Sequence, residues 1–556
     1  MPFAFILDDD KSSKVPGTVI LDDNTSNLAA AVHNFKHGNG SVILVPQPSE
    51  DPNDPLNWSY GKKMASFIVT LLGTCLYAGC TSPLLNAGML VVAGDFNVSL
   101  TAVSMLAGEQ MLAIAVSSPF VLALSRKYGK RLIYILSSSF SVIGTAICQS
   151  TDDFQVLRAG RIVQALGVTA YESLIMASVG DLFFVHQRGP YVATVNFMFA
   201  GVSNMVSVVS GSIVSSFGWR YQFHIFQACS VLQLLLQFFL SPETSYSRNA
   251  EQAITSLSGD QETPSDFHDK PAEFADTSVK HQECVTTQQT KTYWQSLALW
   301  GGIYSDDSLL QLWVATFAIN LNIAVFYVAL VQAFYSSLLV ALAISIAQLF
   351  GLPPYNLSAA GIGYMSLGPF IGALVGLAFC GSLQDPLVRF LSRKNNGVYE
   401  PEFRLLLSPL SLATGAGLLG FGSLVGHQAS HYACSALYGV ALFGIIGCLS
   451  TTSSYVLDAF NDMSSELFVV GNCFKNFLFY GMSYVINDWI TRSGPQSVFH
   501  ILAGISFGIV AFMPVLYVFG KKYRRYWGDH NLLEKFHLRA GERRRGVEIA
   551  ESTPPA

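Results

Sequence analysis

Charged residues are scarce in this sequence. Only 12% of its 556 residues are Asp, Glu, Lys or Arg, well below the ~25% typical of soluble proteins. So low a charge content excludes a disordered chain, a coiled coil and most large soluble enzymes. The 32 basic residues do not outnumber the 37 acidic ones, so no basic face is predicted. We therefore expect no nucleic-acid partner.

The sequence also lacks the patterns of metal sites, cofactor sites and leaders. Its nine cysteines follow no disulfide or metal spacing, and all but Cys284 fall in or beside apolar runs, where Cys acts as a small hydrophobe. One G-x-G-x-x-G pattern, Gly415-Gly417-Gly420, lies inside an apolar run rather than between a strand and a helix. We expect no metal, no cofactor and no enzyme activity. Three Asp residues at 8–10 also argue against a cleavable signal peptide.

Long apolar runs are what the sequence has in abundance. Hydrophobic residues make up 51% of the chain, and about 20 of them in helical form cross a bilayer core. The runs are too many and too long for one soluble core. We predict twelve spans, near 65–87, 103–124, 132–150, 156–178, 191–214, 223–240, 311–338, 358–383, 405–426, 432–454, 468–488 and 498–519.

Three polar regions divide these runs into two halves of similar length. The polar regions are an N-terminal tail (1–62), a central linker (241–310) and a C-terminal tail (521–556). The halves, 63–240 and 311–520, then have the layout of two repeated six-helix bundles. The predicted fold class is all-α, a polytopic membrane protein.

Basic residues indicate the sidedness, because Lys and Arg concentrate in cytoplasmic loops. Basic clusters precede the first predicted span and follow the second, eighth and last, whereas the loops near 93–100, 339–357 and 427–431 have none. Both tails and the linker are therefore predicted to be cytoplasmic, which requires an even number of spans. The apolar stretch 309–350 is too long for one helix, so we predict a break around Gln332–Ser337 rather than a thirteenth span.

Short motifs follow one another in a distinctive order along these spans. Ser125–Arg131 reads SRKYGKR, and the fourth span opens RAGRIVQALG at Arg158. DPNDPLNWS begins at Asp51, and NNGVYEPEFR occupies 395–404. In this order they resemble the major facilitator superfamily, and within it the fungal drug:proton antiporter branch with twelve spans, over roughly residues 50–525.

The resemblance implies a major facilitator fold with a gate of cytoplasmic loops. In the first half the matching gate residues are Gly129, Arg131, Asp181 and Arg188. In the second half Asp385, Arg389 and Arg393 are spaced by four, so they share a face of a continuous helix. This second set indicates either a gate or a solvated helix end.

Four charged residues inside predicted spans are candidates for a functional role. A charge at the bilayer centre costs about 2.5–3.5 kcal/mol, so such residues tend to face a cavity. Glu109 is the predicted proton carrier, because a desolvated carboxylate binds a proton more readily. Arg161, Glu172 and Lys475 are the others. Glu172 alternatively ties its span to a neighbour, and Lys475 alternatively reaches to the membrane surface.

Uncharged polar residues extend this set. Asn196, Asn322 and Tyr327 are predicted either to complete the cavity or to make hydrogen bonds between helices. Asn97 and Asn356 begin N-x-S glycosylation sequons in predicted outside loops.

These observations together predict a monomeric fungal plasma-membrane glycoprotein that transports a small organic compound by alternating access. The compound would be a drug, toxin or secondary metabolite, and the predicted partners are this compound, protons and the lipid bilayer. Proton-coupled efflux is the main hypothesis. An uptake permease for a nutrient or an organic cation, and a non-transporting nutrient sensor on the same fold, stay open as alternatives.

Overall fold

The structure is a computed structural model, and its described part is almost entirely helical. It describes residues 6, 18–20, 51–184, 188–246, 292–299, 302, 304, 308–395, 398–460 and 464–530. Most of the predicted tails and linker lies outside the described residues. The only sheet of the described part is antiparallel, pairing β1 (Val19–Ile20) with β2 (Val398–Tyr399). The predicted all-α, polytopic membrane fold is confirmed.

The first half contains a series of helices joined by short connections. They are α1 (Tyr60–Gly73), α2 (Met89–Phe96), α3 (Leu100–Tyr128), α4 (Lys130–Ser150), α5 (Phe154–Ser173), α6 (Ile175–Leu182), α7 (Arg188–Phe197), α8 (Ser203–Phe217) and α9 (Trp219–Leu240). Two π-helical segments continue the path, Thr74–Cys80 after α1 and Met198–Val202 between α7 and α8.

The second half follows the linker, of which a short helix, α10 (Tyr293–Ser296), is described. Its helices are α11 (Leu309–Ala318), α12 (Ile323–Gly351), α13 (Ala359–Tyr364), α14 (Leu367–Lys394), α15 (Leu412–Gly426), α16 (His431–Ala459), α17 (Ser464–Ser493) and α18 (Pro495–Asp529). A 3-10 helix, Pro401–Ser411, leads into α15.

Ten helical stretches of the described residues are long and apolar enough to cross a membrane. The predicted spans near 191–214 and 468–488 are helical as well, in α7–α8 and in α17. These two are not among the ten. The count of twelve therefore stays a prediction.

The break predicted at Gln332–Ser337 is wrong. Both residues lie inside the continuous helix α12, and the chain breaks earlier, in the 3-10 turn Ile319–Leu321. Asn322 ends this turn and starts α12, where its side chain accepts hydrogen bonds from the backbone N–H groups of Ala324 and Val325. An Asn at this position satisfies N–H groups that a helix start leaves free, which explains why the chain bends there.

The helices run back and forth between two faces. We call the side where α1 begins and α18 ends the terminal face, and the side where α3 begins and α12 ends the opposite face. The largest apolar cluster contains residues of both halves near the opposite face, such as Leu84, Val214, Phe350 and Ile362. Two smaller clusters on the terminal side each belong to one half. Apolar packing thus joins the halves towards the opposite face, and it also joins them along α3, which packs against α17 and, through Phe120 and Trp313, against α11.

Candidate functional site

A cavity of about 250 Å³ lies between the two halves. Its wall combines apolar and aromatic side chains, including Met111, Phe199 and Phe479, with many polar groups. The polar residues come from both halves: Ser82, Asn86, Glu172, Asn196, Ser203, Asn204 and Ser207 from the first, and Gln332, Ser336, Ser366, Ser453, Asn472, Lys475 and Asn476 from the second. A cavity of mixed polarity suits a small organic molecule with polar substituents.

An ion pair crosses the cavity from one half to the other. The Lys475 ammonium on α17 donates to Oε1 of Glu172 on α5. The Glu172 side chain is only 4% exposed, whereas that of Lys475 is 27% exposed. The carboxylate is thus largely withdrawn from water, and its main cationic neighbour belongs to the other half.

Two asparagines reinforce this contact. Asn476 Nδ2 donates to Glu172 Oε1 at 3.4 Å, and Asn472 Nδ2 donates to the Glu172 main-chain oxygen at 3.3 Å. Asn472, Lys475 and Asn476 are spaced i, i+3, i+4, so they lie on one face of α17. We call Glu172, Asn472, Lys475 and Asn476 the central tie.

Of the seven residues predicted for the cavity, the structure places three in its wall: Glu172, Asn196 and Lys475. Asn322 caps α12 instead, and the Tyr327 hydroxyl donates to the main-chain oxygen of Ile509 at 3.3 Å. These two make structural contacts within the second half.

Glu109 and Arg161 also lie outside the cavity wall. Glu109 is 12% exposed and paired with Arg158, which is 46% exposed, towards the opposite face. The fully buried Arg161 donates at 3.0 Å to both the main-chain oxygen of Thr81 and Oε1 of Gln164. Both are therefore bound within the first half, and the proton-carrier role of Glu109 stays a prediction.

The sequence reasoning missed Asn472, Asn476 and Gln332 as cavity residues. The i, i+3, i+4 spacing of Asn472, Lys475 and Asn476 was the available signal, because it puts both amides beside the one lysine of the span. Nothing in the sequence alone indicated that Glu172 was their partner on a distant helix.

Three of the four predicted gate residues of the first half, Gly129, Arg131 and Asp181, lie near one another on the terminal face. The backbone N–H groups of Lys130 and Arg131 donate to the Glu243 carboxylate, both at 3.0 Å. Lys130 also pairs with Asp181. Gly129 has a φ of +93°, and a Cβ there would collide with Glu243, so this turn requires glycine.

The linker completes this cluster. The Arg131 guanidinium donates to the main-chain oxygens of Phe238 at 2.7 Å and Leu297 at 3.0 Å. The backbone N–H of Tyr304 donates to the Lys127 oxygen at 3.0 Å. Burial, together with the negative charge of Glu243, raises the pKa of Tyr304 to about 12. The side chain of the fourth predicted gate residue, Arg188, lies outside the described residues.

In the second half the charges predicted to form a gate or a solvated helix end are separate from the buried charges. Arg389 and Arg393 are exposed on α14, and the Asp385 side chain lies outside the described residues. The buried cluster instead joins Arg524 of α18 to Glu400 at 2.9 Å and to Glu402 at 2.7 Å. The spacing of charges in the sequence indicated α14, because spacing shows only which residues share a face of one helix. It does not show which residues of different elements pack together.

The N-terminal segment adds to this second cluster. The Thr18 hydroxyl donates to Glu400 Oε2 at 2.8 Å, beside the strand pair β1–β2. Arg404 and Tyr399 meet at Asp458 of α16. The cluster therefore links the N-terminal segment, the α14–α15 connection and α18.

Both sequon asparagines are exposed on the opposite face. Asn97 and Asn356 have positive φ values of 52° and 47°. Their hydroxyl partners, Ser99 and Ser358, cap the helices α3 and α13. Glycosylation stays a prediction.

Comparisons with known proteins agree with this architecture. The family model for the Major Facilitator Superfamily matches residues 68–478, well over half of the chain. Protein HOL1 of Saccharomyces cerevisiae is 26% identical, with 96% of this chain and 99% of HOL1 covered. Multidrug transporter DTR1 of Candida glabrata is 25% identical, with 74% of this chain and 77% of DTR1 covered.

A solved structure has a similar fold. The crystal structure of a D-xylose-proton symporter superposes with a TM-score of 0.54 at 16% identity. The superposition covers 82% of this chain and 97% of the symporter. At this identity the likeness concerns the fold alone.

Proposed function

This chain belongs to the Major Facilitator Superfamily and is a membrane transporter of that fold, and we propose that it exports a small organic compound in exchange for protons. The observation that carries the proposal is the central tie, in which the buried Glu172 carboxylate pairs with the partly exposed Lys475 and so joins the halves across the cavity between them. The halves, 63–240 and 311–520, would move as two bodies around this cavity. The tails would be cytoplasmic and the membrane the plasma membrane.

Protonation of Glu172 would open the tie. A neutral carboxyl group loses its charge attraction to Lys475, so the halves are freed to separate on the terminal side. Removing one partner of a buried pair costs about 3–5 kcal/mol, whereas exposed pairs contribute ~0–1 kcal/mol. A shift of about 5.5 kcal/mol moves a two-state equilibrium from 1:99 to 99:1. The figure for a fully buried pair is an upper bound here, because Lys475 is 27% exposed, so loss of the central tie would supply part of such a shift.

Exchange of the compound for a proton would arise because both act at Glu172. Glu172 lines the cavity that the compound would occupy, so the compound and a proton on Glu172 act on the same contact. If each binds best in a different state of the tie, binding of one drives release of the other. Glu172 replaces Glu109 as the preferred proton carrier here, because Glu109 is paired within the first half.

The test uses the full chain in sealed vesicles with an imposed pH gradient. The probes are tetraphenylphosphonium, benzoate and a neutral amphiphile, and a trapped pH-sensitive dye reports proton movement. We expect at least one probe to move against the proton flow, and Glu172→Gln to abolish this coupling. Glu109→Gln is the matched control and should retain it.

Three outcomes would overturn the proposal. The exchange hypothesis fails if no probe moves under either orientation of the gradient. Proton flow in the same direction as the probe would instead indicate uptake. Loss of coupling in Glu109→Gln but not in Glu172→Gln would restore Glu109 as the carrier.

A further inference from the structure

Two cysteines occupy the π-helical segment Thr74–Cys80 that follows α1. In a π-helix the backbone hydrogen bonds join residues five apart, so Cys75 and Cys80 lie one above the other. In an α-helix the same two side chains would point about 140° apart. The two side chains are near enough to interact with each other. The π-helical register therefore brings the two thiols to the same side of the segment.

Exposure also distinguishes these two cysteines from most of the others. Cys75 and Cys80 are partly exposed, whereas Cys148, Cys380, Cys434, Cys448 and Cys473 are buried. Among the cysteines of the described residues, Cys229 on α9 is the most exposed, and it lies near enough to Cys80 to interact with it electrostatically. Cys229 is therefore a single, more exposed thiol in the same region, with which the pair can be compared.

The segment that carries the pair is part of the transport pathway. Ala78, between the two cysteines, lines the cavity. A Cβ on Gly79 would lie 3.0 Å from the main-chain oxygen of Met198, in the second π-helical segment. The two π-helical segments thus pack against each other beside the cavity, and π-bulges are frequent at functional sites.

We propose that Cys75 and Cys80 form a dithiol site for thiophilic reagents that make two bonds, with trivalent arsenicals as the ligand class. An arsenoxide R–As=O reacts with both thiols to form two As–S bonds. Its oxygen leaves as water with the two thiol protons, and arsenic stays trivalent. The bridge would hold the π-helical register and so fix one wall of the cavity. This site goes beyond the proposed function, and its occupancy does not depend on the transported compound.

The test treats the purified full chain with phenylarsine oxide and measures its mass and its remaining maleimide-reactive thiols. We expect one arsenical per chain, with one water lost and with Cys75 and Cys80 protected from maleimide. The adduct should survive excess monothiol and be removed by 2,3-dimercaptopropanol. Cys75→Ser and Cys80→Ser should each lose this monothiol-resistant adduct, and Cys229→Ser should keep it.

The same data decide against the site if the adduct persists in either single variant or depends on Cys229. Peptide mapping of the wild-type chain keeps the test independent of variant folding. Protection of Cys75 and Cys80 together supports the site, and protection of any other pair overturns it.

Discussion

The two halves meet in different ways on the two sides of the cavity. Towards the opposite face, α8 and α13 cross so closely that a Cβ on Gly211 would lie 2.5 Å from the Ala359 oxygen, and one on Gly363 would lie 2.6 Å from the Ser207 oxygen. We call this crossing the glycine seal. Towards the terminal face the halves are joined by charges, in the central tie and in the Arg126–Glu466 pair at 2.5 Å, and by the aromatic contact of Phe120 with Trp313.

The difference indicates which side opens first. The glycine seal depends on shape, because small residues let helix backbones approach in a membrane. It is insensitive to protons. The central tie depends on charge, so a single proton on Glu172 weakens it. We infer that the terminal side is the one that protonation opens, and that the seal stays closed during that step.

The largest expected effect is that of Lys475→Ala on the central tie. It leaves the Glu172 carboxylate, 4% exposed, without its cation, which costs about 3–5 kcal/mol. Thermal unfolding of the detergent-solubilised protein measures this loss. Equal stability of wild type and variant would show that the pair does not stabilise the folded protein.

A double exchange sharpens this prediction. Glu172→Lys combined with Lys475→Glu reverses the pair but retains both charges. We expect it to recover part of the stability that either single change loses. Purely additive losses would mean that the two residues do not interact.

The next effect concerns the glycine seal. Gly363→Val places a side chain against the α8 backbone, and such overpacking costs about 1–3 kcal/mol. We expect a membrane-impermeant maleimide applied from the opposite face to label Asn86→Cys faster in this background. Gly504→Ala is the matched control, because its Cβ would meet nothing within 4 Å. Unchanged labelling in Gly363→Val would show that the crossing is not a seal.

The smallest effect is expected from Arg126→Gln. Its pair with Glu466 is partly exposed, at 25% and 14% for the two side chains, and such pairs contribute ~0–1 kcal/mol. We expect a slight opening of the terminal side, reproduced in wild type by high salt, which screens exposed charges. Arg158→Gln removes a pair within one half and should leave this opening unchanged, as measured by maleimide labelling from the terminal face.

Much of this architecture follows from local sequence patterns. The apolar runs lie where the structure has helices, and Glu172 and Lys475 stood out because charges are costly inside a membrane. Their pairing is a contact between residues 303 positions apart, which no local pattern reports. The same limit applies to Arg524 with Glu400 and Glu402. The bend at Asn322 was missed because a capping Asn inside an apolar stretch looks like any polar residue of a span.

The most direct test of the central claim is a pair of distance distributions in lipid nanodiscs. Nitroxide labels attached through noncanonical amino acids would replace Tyr60 and Tyr526 on the terminal face, and Phe217 and Tyr432 on the opposite face. All four side chains are exposed, and each pair joins a helix of the first half to a helix of the second. We predict that Glu172→Gln lengthens the Tyr60–Tyr526 distance while the Phe217–Tyr432 distance stays the same or shortens. Unchanged distances on both faces, or lengthening on both, would contradict an alternating-access transporter controlled by the central tie.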